Sequence, residues 1–347
     1  MKKLLFILFF TLSVQAAYIP GALTRNDLAT VMAQNYSTRA MPLSTDYYGL
    51  TYGGGIYCAV GGGATAAGQV ASSTSEGELW VSRTASTLKT WRAVTYGIST
   101  FVAVSVSTSS TNQVMTSTDC ENWSSSTATG MTVMSDVRWI SGLNLFVAVG
   151  DYQDSFGGTN YSIATSTNGT VWTQRTAPTG LTAVNFDRLI NGGNIILASV
   201  TTTPFPAGGK IIRSTNGTTW TQINEGSNAS IYPYTGMGWN GSKFMISTRD
   251  GYVKTSPDGI TWTNQTKVTA DGSNTRVDQI NWNGYVWVLM GKGLIATSVD
   301  GKLWAYINPQ MPIVNKLIYT GSRFIGVTGI LVSGLNNNVF LTGSFNF

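Results

Sequence analysis

Histidine is absent from all 347 residues. That removes imidazole acid–base catalysis and histidine metal ligands together. Charge is scarce: 11% of residues are Asp, Glu, Lys or Arg, against about a quarter in ordinary soluble proteins. No Lys/Arg cluster appears, so nucleic acid is not expected as a partner. The four glutamates are Glu76, Glu78, Glu121 and Glu225, and none stands in an identifiable carboxylate pair of the kind glycoside hydrolysis needs. Walker, Rossmann, Cys-x-x-Cys and EF-hand patterns are missing. No catalytic residue, cofactor or metal is therefore assigned.

Long apolar runs are also missing, with one exception. Lys2 and Lys3 precede eleven apolar-rich residues, Leu4 to Val14, and a small-residue site at Ala16–Ala17. This three-part pattern predicts an export signal over residues 1–16. The run is short for a membrane span, which needs about 20 residues. The net charge of +5 includes Lys2 and Lys3. Residues 17–46 form an extension in which Asn26-Asp27 could cap a short helix to about Gln34, serving either as a brace or as a docking arm.

What is abundant is repetition. The strings IYCAV, FVAV, FVAV, IILAS, FMIS, VWVLM and FIGV begin at Tyr57, Phe101, Phe146, Ile196, Phe244, Trp287 and Phe324. The 267 residues from first to last make six steps, a mean period of about 44.5. After most of these strands comes a second signal. It reads Ser166-x-Asn168-Gly169-x-x-Trp172, Ser214-x-Asn216-Gly217-x-x-Trp220, Ser256-x-Asp258-Gly259-x-x-Trp262 and Ser298-x-Asp300-Gly301-x-x-Trp304. Ser117 to Trp123 is a degraded copy, Ser82 to Trp91 a looser one, and Phe340 takes the tryptophan's place in the last repeat. A period near 45 with several short strands per repeat predicts an all-β fold: a seven-bladed β-propeller of four-stranded antiparallel blades over residues 47–347. Gly61 to Gly77 reads as a small-residue insertion in the first blade.

The Ser-x-Asp-Gly-x-x-Trp signal resembles the Asp-box, or BNR repeat, of sialidases and of many secreted or viral propellers. Here the acid or amide abuts the glycine, a shorter form similar to that of bacterial and phage propellers. The physical role expected of it is structural. A carboxylate or amide caps the backbone of its own turn, glycine takes positive φ, and tryptophan covers the blade. Sialidase activity, which the resemblance brings into view, would need an arginine trio, a tyrosine–glutamate pair and an aspartate. Arg138, Arg188 and Arg276 lie near inner-strand segments, but the family's early Arg-Ile-Pro motif is replaced by Tyr18-Ile19-Pro20, and Glu225 follows an outer strand.

The two cysteines occupy unlike positions. Cys58 falls in a second strand and Cys120 in the glycine place of a turn. This predicts two unpaired cysteines, Cys58 being a small core residue.

Recognition is expected on loops that leave the repeat. Tyr152 and Phe156 lie in one insertion, Phe205 in another, and Tyr232 and Tyr234 precede the fifth blade. Aromatic rings there suit a glycan or a protein surface, although Tyr232 and Tyr234 could equally pin their own loop. The chain reads as a non-enzymatic binding or adhesion propeller, periplasmic or extracellular, with a glycan or protein partner. The alternatives are a virion structural or receptor-binding protein docking through residues 17–46, and a glycoside hydrolase.

Overall fold

The computed structural model describes residues 36–342, apart from 43–45, 64–65, 107–110, 132, 154–158, 180, 182–183, 203–207, 226–231, 265, 270–275, 292–293, 308–313 and 329–337. The expected export signal, the short helix before Gln34, Phe156 and Phe205 lie outside the described residues.

Alternating and β-branched segments separated by glycine and asparagine turns form strands throughout. Strand β1 is Tyr36–Ala40. Six meanders follow. The first is β2 (Asp46–Gly53), β3 (Ile56–Gly62), β4 (Ala67–Ser73) and β5 (Val81–Thr84). The second is β6 (Thr90–Gly97), β7 (Thr100–Val106), β8 (Val114–Ser117) and β9 (Ser124–Ser126). The third is β10 (Val133–Ile140), β11 (Leu145–Gln153), β12 (Thr159–Ser166) and β13 (Thr173–Arg175). The fourth is β14 (Val184–Gly192), β15 (Ile195–Thr202), β16 (Gly209–Ser214) and β17 (Thr221–Ile223). The fifth is β18 (Tyr234–Trp239), β19 (Phe244–Thr248), β20 (Tyr252–Ser256) and β21 (Thr266–Lys267). The sixth is β22 (Val277–Trp282), β23 (Trp287–Gly291), β24 (Leu294–Ser298) and β25 (Ala305–Ile307). Finally come β26 (Val314–Tyr319), β27 (Phe324–Thr328) and β28 (Asn338–Thr342).

Five sheets have four strands, and the second and third meanders share an eight-stranded sheet joined at Val133↔Val106. Each meander's first strand packs on the next, and β26 packs on β2, so the sheets close into a ring. The cores lie between neighbouring sheets. The lead residues of the repeat are buried there, and cross-strand aromatic pairs such as Tyr96–Phe101 and Trp239–Phe244 sit 4.7 and 4.3 Å apart. The next sheet needs room for these rings. A Cβ on Gly97 would come within 2.2 Å of Trp139.

Four expectations are corrected here. Residues 36–40 are not outside the repeat: β1 pairs antiparallel with β28 and completes the last sheet in the order β1-β28-β27-β26. Phe340 therefore lies in a third strand, opposite Gly326 and Thr38, and not in a tryptophan's place. The Gly61–Gly77 segment is no insertion, since β4 runs through it as the third strand of the first meander. The first turn motif is accordingly Ser73 to Trp80, with one residue more than its copies. Ser73 Oγ accepts from the Gly77 N–H and Trp80 Nε1 donates to the Gly77 carbonyl at 2.8 Å. Trp91, read as the end of that motif, is a buried first-strand residue of β6.

The cysteines are also corrected: Cys58 and Cys120 form a disulfide, with Cα atoms 5.9 Å apart. Their unlike positions are the cause. The glycine of one turn motif abuts the second strand of the preceding sheet. A Cβ on Gly169 would meet Val102, on Gly259 Leu197, and on Gly301 Met245, at 2.6–2.7 Å. Cys58 is the counterpart of Val102, and Cys120 the counterpart of those glycines, held at a φ of 56°. A pair of unlike positions in adjacent repeats is thus the pair in contact.

Candidate functional site: the central channel and its mouth

Among the described residues, seven first strands (β2, β6, β10, β14, β18, β22 and β26) carry a β-bulge at the same place, before the middle of the strand. The residues skipped in the pairing register are Tyr48, Arg92, Ser135, Asp187, Thr235, Asp278 and Asn315, and every one lines the central cavity. A bulge turns one extra side chain out of the pleat. Repeated around a ring, it aims one residue per sheet at a common axis. The cavity has a volume of about 510 Å³, within the range of small-ligand sites.

Two of these residues, and Asp136 beside the bulge of β10, also stitch neighbouring first strands. Thr235 Oγ1 donates to the Val277 carbonyl, Asn315 Nδ2 donates to the Tyr47 carbonyl at 2.8 Å, and Asp136 accepts the Leu189 N–H at 3.0 Å. The wall is therefore built before any ligand arrives.

Charge, scarce in the chain, is concentrated here. Arg92, Arg138, Arg188, Arg249, Arg276 and Lys316 line the cavity, against Asp136, Asp187 and Asp278. Two pairs are local: Arg138–Asp136 at 3.2 Å and Arg276–Asp278 at 2.5 Å. Thr201 Oγ1 donates to Asp187 at 2.5 Å, yet burial holds that carboxyl above its usual range. Arg92 lies over the Tyr48 ring at 4.8 Å. Burial lowers the Arg188 guanidinium from its ordinary value, and it lowers the Lys316 ammonium further, with the repulsion of Arg138 and Arg188 added. The sequence placed Arg138, Arg188 and Arg276 near the axis, and all three line the cavity. It missed Arg92, Arg249 and Lys316. No sequence signal marks Arg92 or Lys316, because their place at or just after the bulge shows only in the strand register.

The register also orients the faces. The first-strand ends that hold the bulges pair with the second-strand ends, as in Val133↔Asp151 and Val184↔Thr202. The segments joining β11 to β12 and β15 to β16 therefore leave from the bulge-bearing end of the channel. Tyr152 lies in β11 opposite Asn160, at that end.

Tyr232 is half-buried. Tyr234 is 1% exposed and its hydroxyl donates to Glu225 at 2.5 Å. Lys254, from the third strand β20, completes a buried triad: its ammonium pairs with Glu225 and sits 4.9 Å from the Tyr234 ring centroid. Burial lowers the Lys254 ammonium and Glu225 works against that shift. Other third strands place Met115, Ala164, Ile212 or Ala296 at this register. Tyr234 and Glu225 are thus occupied with each other and with Lys254, and Tyr234 pins the link into β18.

The Ser-x-Asp/Asn-Gly turns lie at the opposite face. In each, the side-chain oxygen accepts two backbone N–H groups, as Asn216 Oδ1 does from Thr218 and Thr219 at 2.9 Å. Trp172 and Trp220 donate Nε1 to the glycine carbonyls of their own turns. Burial alone would raise the Asp258 carboxyl, but the N–H groups of Thr261 and Ile260 and the Ser256 hydroxyl hold it below its usual value. These residues are consumed by their own turns.

No family model matches the chain, and no curated protein does. Solved structures do. YCF48 from Cyanidioschyzon merolae is 13% identical with a TM-score of 0.64, over 89% of this chain and 98% of that one. A structure described as YCF48 bound to D1 peptide has 12% identity and a TM-score of 0.64, over 89% and 95%. Virginiamycin B lyase from Staphylococcus aureus has 11% identity and a TM-score of 0.63, over 88% and 99%. At such identities the likeness is one of fold, and the fold is a β-propeller.

Proposed function

We propose that this chain is a non-enzymatic binding propeller that engages a protein partner on the face where the channel opens. The observation that carries this is the coincidence, at one end of the channel, of the seven bulge residues and the second-strand ends of β11 and β15, from which the chain leaves toward β12 and β16. The molecule has seven blades in this reading, the eight-stranded sheet counting as two because Val133↔Val106 alone joins its halves. The turns on the far face are short Asp-box copies with a structural role. Residues 1–16 direct export. A propeller neighbour bound to a peptide supports a protein partner. The commitment of Tyr234 and Glu225 to the buried triad supports the absence of turnover.

The test presents the immobilised full chain with candidate envelope proteins, a glycan panel and a fluorogenic sialoside. We expect capture of a protein, lost in a correctly folded Tyr152→Ala/Phe205→Ala variant, and no hydrolysis. Retention of full binding by that variant would overturn the face assignment. Binding of glycans alone would overturn the protein partner, and hydrolysis of any glycoside would overturn the non-enzymatic reading.

A further inference from the structure

Arg188 and Lys316 occupy the same register, one residue after the bulge, in β14 and β26. They belong to sheets on different sides of the ring, and both reach the same cavity. Among the described residues neither makes an ion pair or a side-chain hydrogen bond. The carboxylates that act on Arg188 are Asp136, Asp278 and Asp187, and Asp136 also acts on Lys316; Asp136 is held by Arg138 and the Leu189 N–H, Asp278 by Arg276, and Asp187 accepts the Thr201 hydroxyl. Both side chains are half-buried at the cavity wall, and partial withdrawal of a cation from water without a close partner carries a cost. A fold that keeps two of them facing one space, where Gly49 and Ala93 leave that space open, has a site for an anion.

We propose that the central cavity is a carboxylate-binding site in which Arg188 and Lys316 together hold one carboxylate group. The proposal deepens the binding function above by naming the chemistry its partner presents. A guanidinium fork matches a planar carboxylate through two parallel hydrogen bonds, and an ammonium adds a point charge from another direction. A carboxylate fits better than a phosphate because Asp187 shares the wall, and a second negative charge would be repelled. The same carboxylate could come from a partner's C-terminus or from a free small acid. The low pKa of Lys316 agrees with this, since a bound anion supplies the charge partner it lacks.

The experiment is calorimetric titration of the full chain with four probes: acetate, a Gly-Ser tetrapeptide with a free C-terminus, its C-terminal amide, and inorganic phosphate. We expect the free-acid peptide to bind and the amide to bind at least tenfold more weakly. Saturation by acetate with equal affinity would assign the site to free acids, and a clear preference for the peptide would assign it to a chain terminus; both keep the carboxylate site. Arg188→Gln and Lys316→Met should each weaken binding at least tenfold while melting temperature stays level or rises, because each removes an unpaired cation. Four results would overturn the proposal: no binding of either carboxylate probe, equal binding of the amide, tighter binding of phosphate, or variants that melt well below wild type. Lys316→Met is also tested for protein capture beside Tyr152→Ala/Phe205→Ala. Capture lost only in the latter would remove the carboxylate site and leave the binding face standing.

Discussion

At the residue scale, the turn motif divides its work unequally. Trp220 is buried and donates to the Gly217 carbonyl, while Asp258 caps two N–H groups at the surface. Trp220→Ala should cost about 3–5 kcal/mol, as large aromatic truncations in cores do. Asp258→Ala should cost about 1 kcal/mol, the net worth of an ordinary hydrogen bond. Urea melts of the two variants check the ranking, and equal losses would mean that the tryptophan is not a core residue. The Lys254–Glu225 pair makes a sharper case. Side-chain exposure is 0% and 2%, so neither charge can turn to water. Lys254→Met alone should destabilise by about 3–5 kcal/mol because Glu225 is left buried and uncompensated. Lys254→Met/Glu225→Leu should recover most of that loss. A double variant as unstable as the single would show that the lost packing, and not the stranded charge, sets the cost.

At the scale of elements, each sheet leans on the preceding one through the turn between its own third and fourth strands. The contact takes several chemical forms at one place. It is van der Waals where Gly169 meets Val102, and covalent where Cys120 meets Cys58. Between the last sheet and the first it is ionic: Arg323 and Arg39 reach Glu78 at 2.8 Å. The disulfide is therefore a local variant of a joint that works without it. Cys58→Val/Cys120→Gly should restore the ordinary joint and fold. It should lose about 2–4 kcal/mol, the usual contribution of a cross-link. Denaturation of this variant and of the wild type with and without reductant should bring the variant and the reduced wild type close together. A variant that fails to fold would show that the first joint depends on the bond itself.

At the scale of the whole molecule, closure is what makes a ring rigid. The chain closes by pairing β1 with β28, so the last sheet contains both the first and the last described strands. Edge strands left open invite pairing with other chains. Deleting residues 36–40 should expose β28, lower the melting temperature and produce soluble aggregates visible by size-exclusion chromatography. Deleting residues 1–35 should leave a cooperative melt. Equal behaviour of the two truncations would show that β1 is not the closing strand. Closure also holds the channel: Asn315 of β26 reaches the Tyr47 carbonyl of β2, across the junction between the last sheet and the first.

The sequence by itself determined whatever one repeat can express. The lead aromatics, the Asn-Gly turns, the Ser-x-Asp/Asn-Gly turns and the strands between them follow from local periodicity and backbone preference, and the 44.5-residue period made the propeller legible. The tertiary structure decided what depends on a neighbouring repeat. Cys58 and Cys120 are 62 residues apart, and only the packing of one sheet on the next brings those unlike positions together. Strand β1 looked like an extension because its partner lies some 300 residues away, opposite Thr342 to Asn338. Lys254 and Glu225 are 29 residues apart, and only the packing of β20 beside the end of β17 pairs them. The channel was half legible: three arginines near inner strands were seen, but not the bulge. A bulge is one residue out of step between two strands, so it leaves no mark until the register of both is known.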